Sequence, residues 1–230
     1  MNFPPLPLIL RSSKEALKMM DIAFLMRYFS GLMKVANTVV GYANKWAANI
    51  ESAQLATIVV RHAIAAAVAG MAGGVLPGIA VLVSSVIAIG AIWHMYYAVG
   101  KYLHLKFGKD ILKATAAAIL SNVIHQMWGV LAIEFAATFI PLLSIPATGL
   151  IFFAITYFSG MTFLLVLEYI FKAGGDPTSM SAEELKRTAE RAAGGIDFRG
   201  EFEQSKQGFK RMRREGNLED LSKGVDINSD

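Results

Sequence analysis

Two long stretches almost without charge constrain this chain more than anything else in it. From Leu55 to Val99 the only ionisable side chains are Arg61, His62, His94, Tyr96 and Tyr97. From Ala114 to Phe171 the only charged residues are Glu134 and Glu168. Each stretch exceeds the roughly 20 apolar residues that one spanning helix needs. A soluble core helix is expected to keep a wet face, and these stretches have none. The sequence therefore predicts an all-α integral membrane protein. Its overall balance agrees: 54% of the 230 residues are hydrophobic and 17% are charged, where a soluble domain carries nearer a quarter charged.

The chain divides into three parts. Residues 1–52 are a proline-rich lead-in followed by an amphipathic helix, 53–172 the transmembrane helical domain, and 173–230 a polar cytoplasmic tail expected to be disordered over its last fifteen residues. In the first part Leu17, Met20, Phe24, Tyr28, Leu32, Val35 and Val39 step by three and four behind a possible N-cap at Ser13. Such a helix fits the membrane interface or the surface of the bundle equally well. Pro4, Pro5 and Pro7 break the opening apolar run, and Arg11 and Lys14 follow it, the reverse of a secretory signal. In the tail, Ala173-Gly174-Gly175-Asp176-Pro177 is a helix stop. Ser181-Ala182-Glu183-Glu184 is a capping box opening a helix to about Ala193, which Gly194-Gly195 ends.

The membrane block reads as two helical hairpins, about four spans. Gly73, Gly74, Pro77 and Gly78 mark the first turn, and Pro141 and Pro146 the second, with a helix starting at Thr148. Neither turn is charged, whereas Lys45, Arg61, Lys101, Lys106, Lys109, Lys113, Lys172, Lys186 and Arg187 lie toward the opposite ends. Positive residues stay cytoplasmic, so the turns should point away and both termini lie inside. The first helix, Leu55–Gly70, is only 16 residues, roughly 24 Å long, against about 30 Å of hydrocarbon. It spans with Arg61 snorkelling, or dips in and returns, or is shielded inside an oligomer. Small residues (Ala65-Ala66-Ala67, Ala69-Gly70) should let helices approach closely.

Asn122, His125, Gln126 and Glu134 are the main polar residues of the third membrane helix. The first three share a face. They form either a polar seam lining a path or interhelical hydrogen bonds to Ser84, Ser85 or Thr156. His62, His94, His104 and His125 lack metal-ligand spacing. No catalytic motif appears, and with no cysteine there is no thiol chemistry. No metal, cofactor or catalytic site is expected, so the chain is read as a non-enzyme. Lys210, Arg211, Arg213 and Arg214 beside Phe209 are candidate lipid-headgroup contacts, against a solvated helix face. The net charge of +4 does not suggest nucleic-acid binding.

From Leu76-Pro77-Gly78 through Tyr97-Ala98-Val99-Gly100, and from Ile145-Pro146 through Glu168-Tyr169-Ile170-Phe171-Lys172-Ala173-Gly174, the chain resembles the YcjF-like bacterial membrane family. That family is also found as a tail domain behind Era-like GTPase domains. Met95 and Tyr97 suit its second helix, Thr156 and Gly160 its Thr-x-x-x-Gly motif, and Glu168-Tyr169 its close; Ala80 and Val81 stand where an acidic residue is usual. The resemblance covers about residues 55–190 and implies a bacterial inner-membrane protein with a GTPase partner. This chain has no phosphate loop of its own. The function expected is a homo-oligomeric membrane scaffold or adaptor that recruits cytoplasmic partners. The alternative is an oligomeric pore lined by the third helix.

Overall fold

A computed structural model describes residues 29–45, 49–73, 80–139 and 141–214. Those residues are helical throughout apart from turns and short connections, with no strand among them. The predicted N-cap at Ser13, the apolar face from Leu17 to Tyr28, the turn residues Gly74, Pro77 and Gly78, and the last fifteen residues lie outside the described residues.

The helices are α1 (Ser30–Ala43), α2 (Ser52–Gly73), α3 (Ala80–Tyr102), α4 (Lys109–Ala137), α5 (Pro141–Lys172), α6 (Ala182–Ala193) and α7 (Phe198–Arg214). The longest, α5, has 32 residues, roughly 48 Å of helix. It is the axis of the bundle, packing against each of the other six described helices. Most of its apolar residues thereby find protein around them. Leu150, Phe153, Ala154, Tyr157, Phe158, Phe163, Leu164, Leu167 and Ile170 are all buried. α5 is thus largely enclosed by protein, a condition that a helix apolar all round meets either in a buried core or in lipid.

Among the described residues two helical segments are long and apolar enough to cross a membrane, Ser52–Ala72 and Ser144–Lys172. Two of the four expected spans thus meet the length and apolarity of a crossing helix among the described residues, and the other two are not confirmed. In the structure 83% of the most apolar window of the second segment is buried, and 61% of that of the first. The first helix is longer than Leu55–Gly70: α2 runs 22 residues, roughly 33 Å, which removes the predicted shortfall. Arg61 lies near its midpoint and is exposed.

Contact between α2 and α5 is close because glycines sit at the crossing. A Cβ on Gly160 would stand 2.5 Å from Val59 Cγ1 and 2.9 Å from Met95 Sδ, and one on Gly149 2.5 Å from Met71 Cγ. From α3, Tyr96 stacks on Phe163 with centroids 4.1 Å apart and donates its hydroxyl to the Ser159 carbonyl at 3.0 Å. At the far end of the same hairpin, the Tyr102 hydroxyl accepts from the Glu51 amide at 2.7 Å.

The second turn differs from the prediction. α4 ends at Ala137, Thr138 and Phe139 turn, and α5 begins at Pro141, so Pro146 lies inside a helix. Pro141 stands at the first helical position, where its missing N–H costs nothing. Pro146 forfeits one intrahelical bond, and an interior proline costs roughly 3 kcal/mol. Burial of Ala147, Leu150, Phe152 and Phe153 just beyond it outweighs that, at about 1.5–3 kcal/mol for each large side chain.

α1 buries Leu32, Val35, Ala36, Val39 and Val40 against α5 and α2. Of the two readings open for its face, the described part follows the packed one. The capping box forms as predicted: Ser181 Oγ accepts from the Glu184 amide and Glu184 Oε2 accepts from the Ser181 amide. Gly174, at φ +71°, closes α5, with the Gly175 amide donating to the Ile170 carbonyl; a positive φ costs glycine nothing.

Candidate functional site: the α4–α5 end and the returning tail

The tail does not leave the bundle. α6 packs along α4 and α5, and α7 runs back beside α5. Aromatic contacts set the direction: Phe198 meets Phe158 at 5.3 Å between centroids, and Phe209, eleven residues later, meets Phe153 at 5.3 Å. α7 therefore carries its basic last turn toward the α4–α5 turn, away from Lys172. Phe198, Phe202, Phe209 and Met212 form its buried stripe, on the helical repeat, while Glu203, Lys210, Arg211, Arg213 and Arg214 are exposed.

At that end a cavity of about 690 Å³ opens between α5 and α7. Pro146, Ala147 and Leu150 line one side, and Lys206, Lys210, Arg213 and Arg214 the other. Three of the four expected headgroup contacts converge there; Arg211 is exposed outside that lining. Lys206, which the sequence reading did not single out, joins them and also lies over the Phe202 ring at 5.7 Å. Only the return of α7 against α5 reveals it.

Beside the cavity, the outer face of α4 carries Ile124, Trp128 and Phe135, continued by Phe139 in the turn and Ile145 in α5. Along α4 and the turn these steps are of four, seven and four, so the side chains align on one face. Trp128 is 68% exposed and Phe139 72%. Phe135 and Phe139 meet edge to face at 5.5 Å and 83°.

The polar residues of α4 do not converge on a cavity. Asn122 donates to the Ala118 carbonyl of its own helix at 3.0 Å. His125 and Gln126 are exposed. Glu134 lies in α4, and its side chain is outside the described residues. Thr156 is buried and its hydroxyl makes no hydrogen bond among the described residues, so it is not the partner of that face.

Two groups the sequence did not connect are brought together in the interior. His62 on α2 donates from Nδ1 to the Ile58 carbonyl at 2.7 Å, which leaves its Nε2 to accept from His94 Nδ1 on α3 at 3.0 Å. The pair joins two helices by a hydrogen bond, and no group of three or more His, Asp and Glu suited to a metal occurs among the described residues. Their separation of thirty-two positions carried no signal without the α2–α3 register. Second, Glu201 of α7 is half-buried beside Gly31 and Tyr157, with Oε2 unpaired among the described residues. Desolvation, and then the neighbouring Asp197, push its carboxyl above the usual range.

No known family, curated protein or solved structure matches this chain.

Proposed function

We propose that this chain is a non-enzymatic membrane scaffold that associates with a bacterial inner membrane, assembles with copies of itself and recruits cytoplasmic protein partners. The observation that carries the reading is the scarcity of charge between residues 55 and 172, together with α2, a helix long and apolar enough to cross whose most apolar window is 61% enclosed by the rest of the chain. In the fullest form both hairpins cross, giving four spans with the termini cytoplasmic. The packing of α6 and α7 supports a second state of the same scaffold. There the tail takes the place of lipid along α5, and one end of the bundle meets the membrane. The charged outer face of α7 is costly in hydrocarbon, so four crossings require the tail to swing off. The YcjF-like resemblance supports a GTPase as the class of partner.

The test is extraction. After an alkaline carbonate wash the chain is expected to stay in the membrane pellet and to float with lipid. Complete release as monodisperse, detergent-free protein overturns the proposal. Cross-linking in intact membranes should yield one discrete oligomer.

An oligomeric pore is the second reading, favoured by the outward orientation of His125 and Gln126, which only a neighbouring copy would enclose. Ion flux from liposomes that disappears with His125→Leu would support it, and tight vesicles would not.

A further inference from the structure

We propose that the α4–α5 end of the bundle is a docking surface for an anionic phospholipid bilayer. Trp128, Phe135 and Phe139 enter the acyl boundary while Lys210, Arg213 and Arg214 hold headgroup phosphates. This inference rests on the membrane reading above and names the face and the lipid class.

Two independent observations meet at this end. One is the apolar ridge. Single exposed apolar residues are ordinary, but one tryptophan, two phenylalanines and two isoleucines in a row along α4 and into the start of α5 are a grouping of the kind that marks an interaction site. The ridge runs roughly 16 Å along α4 from Trp128 to the turn, so it meets a leaflet lying along that face, with the cations beside the turn at headgroup level. Tryptophan in particular favours the boundary between headgroups and acyl chains.

The other is the charge brought alongside. Lys210, Arg213 and Arg214 are exposed, line the cavity beside the ridge, and make no ion pair among the described residues. Lys206 lines the same cavity from one turn earlier. Arginine presents a planar fork that binds phosphate oxygens in pairs. Pro146 and Leu150 give the cavity an apolar wall, so a bound phosphate would have its glycerol and upper acyl carbons against hydrocarbon. Cations beside an apolar patch match a surface that is anionic outside and apolar within. A soluble acidic protein would match the cations and leave the ridge wet. A second copy of the chain would cover the ridge and set cation against cation.

The experiment uses the full chain with Trp46→Phe and Trp93→Phe, so that Trp128 is the sole tryptophan. It is diluted from detergent into vesicles of phosphatidylcholine alone or with phosphatidylserine, acyl chains brominated. Trp128 emission is expected to be quenched on the anionic vesicles and little on the neutral ones, with quenching weakened by added salt. Replacing Lys210, Arg213 and Arg214 by Gln should lower the apparent partition onto anionic vesicles about a hundredfold, near fivefold for each charge. Circular dichroism checks that the helices persist, and Phe139→Ser supplies a variant that leaves every cation in place and should also weaken quenching. Three outcomes overturn the inference: equal quenching on neutral and anionic vesicles, no effect of the triple change, or an unquenched Trp128 on vesicles that retain the protein. In the last case, flotation that persists after carbonate washing leaves the membrane reading standing while this face is rejected. If the protein neither floats nor survives the wash, both fall.

Discussion

Phe209, close to the end of α7, packs its ring 5.3 Å from that of Phe153 on α5, and the two planes are inclined at 41°. Phe153 in turn lies parallel to Tyr157 at 5.9 Å, and Phe29 closes on both. This cluster binds the polar tail to the most apolar helix and brings the basic end of α7 beside Pro146.

Phe209 is 2% exposed, so Phe209→Ala is expected to cost about 3–5 kcal/mol, the usual range for emptying a buried phenylalanine site. The loss should fall on the attachment of α7. Limited proteolysis ought to cut the variant within residues 198–214 well before the native chain. Equal protection of the two would mean that the ring contact does not hold the tail.

Gly160 permits the α2–α5 crossing. Gly160→Val is expected to destabilise the protein by about 1–3 kcal/mol through overpacking against Val59 and Met95. Gly41 on α1 has nothing within 4 Å of its would-be Cβ, so Gly41→Ala should stabilise by about 0.5–1 kcal/mol through helix propensity alone. Thermal melts of both variants should move in opposite directions.

Glu201 makes the docking of α7 depend on pH. Burial raises its folded-state pKa above the unfolded value, so its contribution is fully present below the unfolded pKa and is lost as pH rises through the folded one. Its half exposure softens the effect. Glu201→Gln removes the charge and keeps the shape. The melting temperature of the variant should match the native value in acid and exceed it increasingly toward neutral pH; parallel curves would rule out a role for this carboxylate.

Glu184 has the opposite sign. Hydrogen bonds from Ser181 hold its carboxyl below the usual range, so the capping box contributes above the unfolded pKa and weakens as pH falls through the folded one. Ser181→Ala should speed hydrogen exchange of the first amides of α6 severalfold and leave α5 unchanged. Lowering the pH should narrow the difference between variant and native chain.

The local punctuation of this chain was legible in its residues. Ser181 and Glu184 announce the start of α6, Gly194 its end, and Gly174 the stop of α5, because caps and terminators act over three or four residues and need no partner elsewhere. Apolar spacing likewise marked the stripe of α1. Pro146 does not mark the second turn, because proline signals a break only in the absence of tertiary context. Around Pro146, contacts from distant helices stabilise the backbone by more than the ring costs.

What the sequence alone determined, then, is helical character, low charge and the helix boundaries that depend on neighbouring residues. Tertiary structure alone decided what surrounds α5, the union of His62 with His94, and the meeting of Lys206, Lys210, Arg213 and Arg214 with the Pro146 end. The reason is physical. Transfer out of water is non-directional, so an apolar side chain records that it must be covered without recording by what. What covers it depends on the path of the remaining chain, and here a tail turns back along α5.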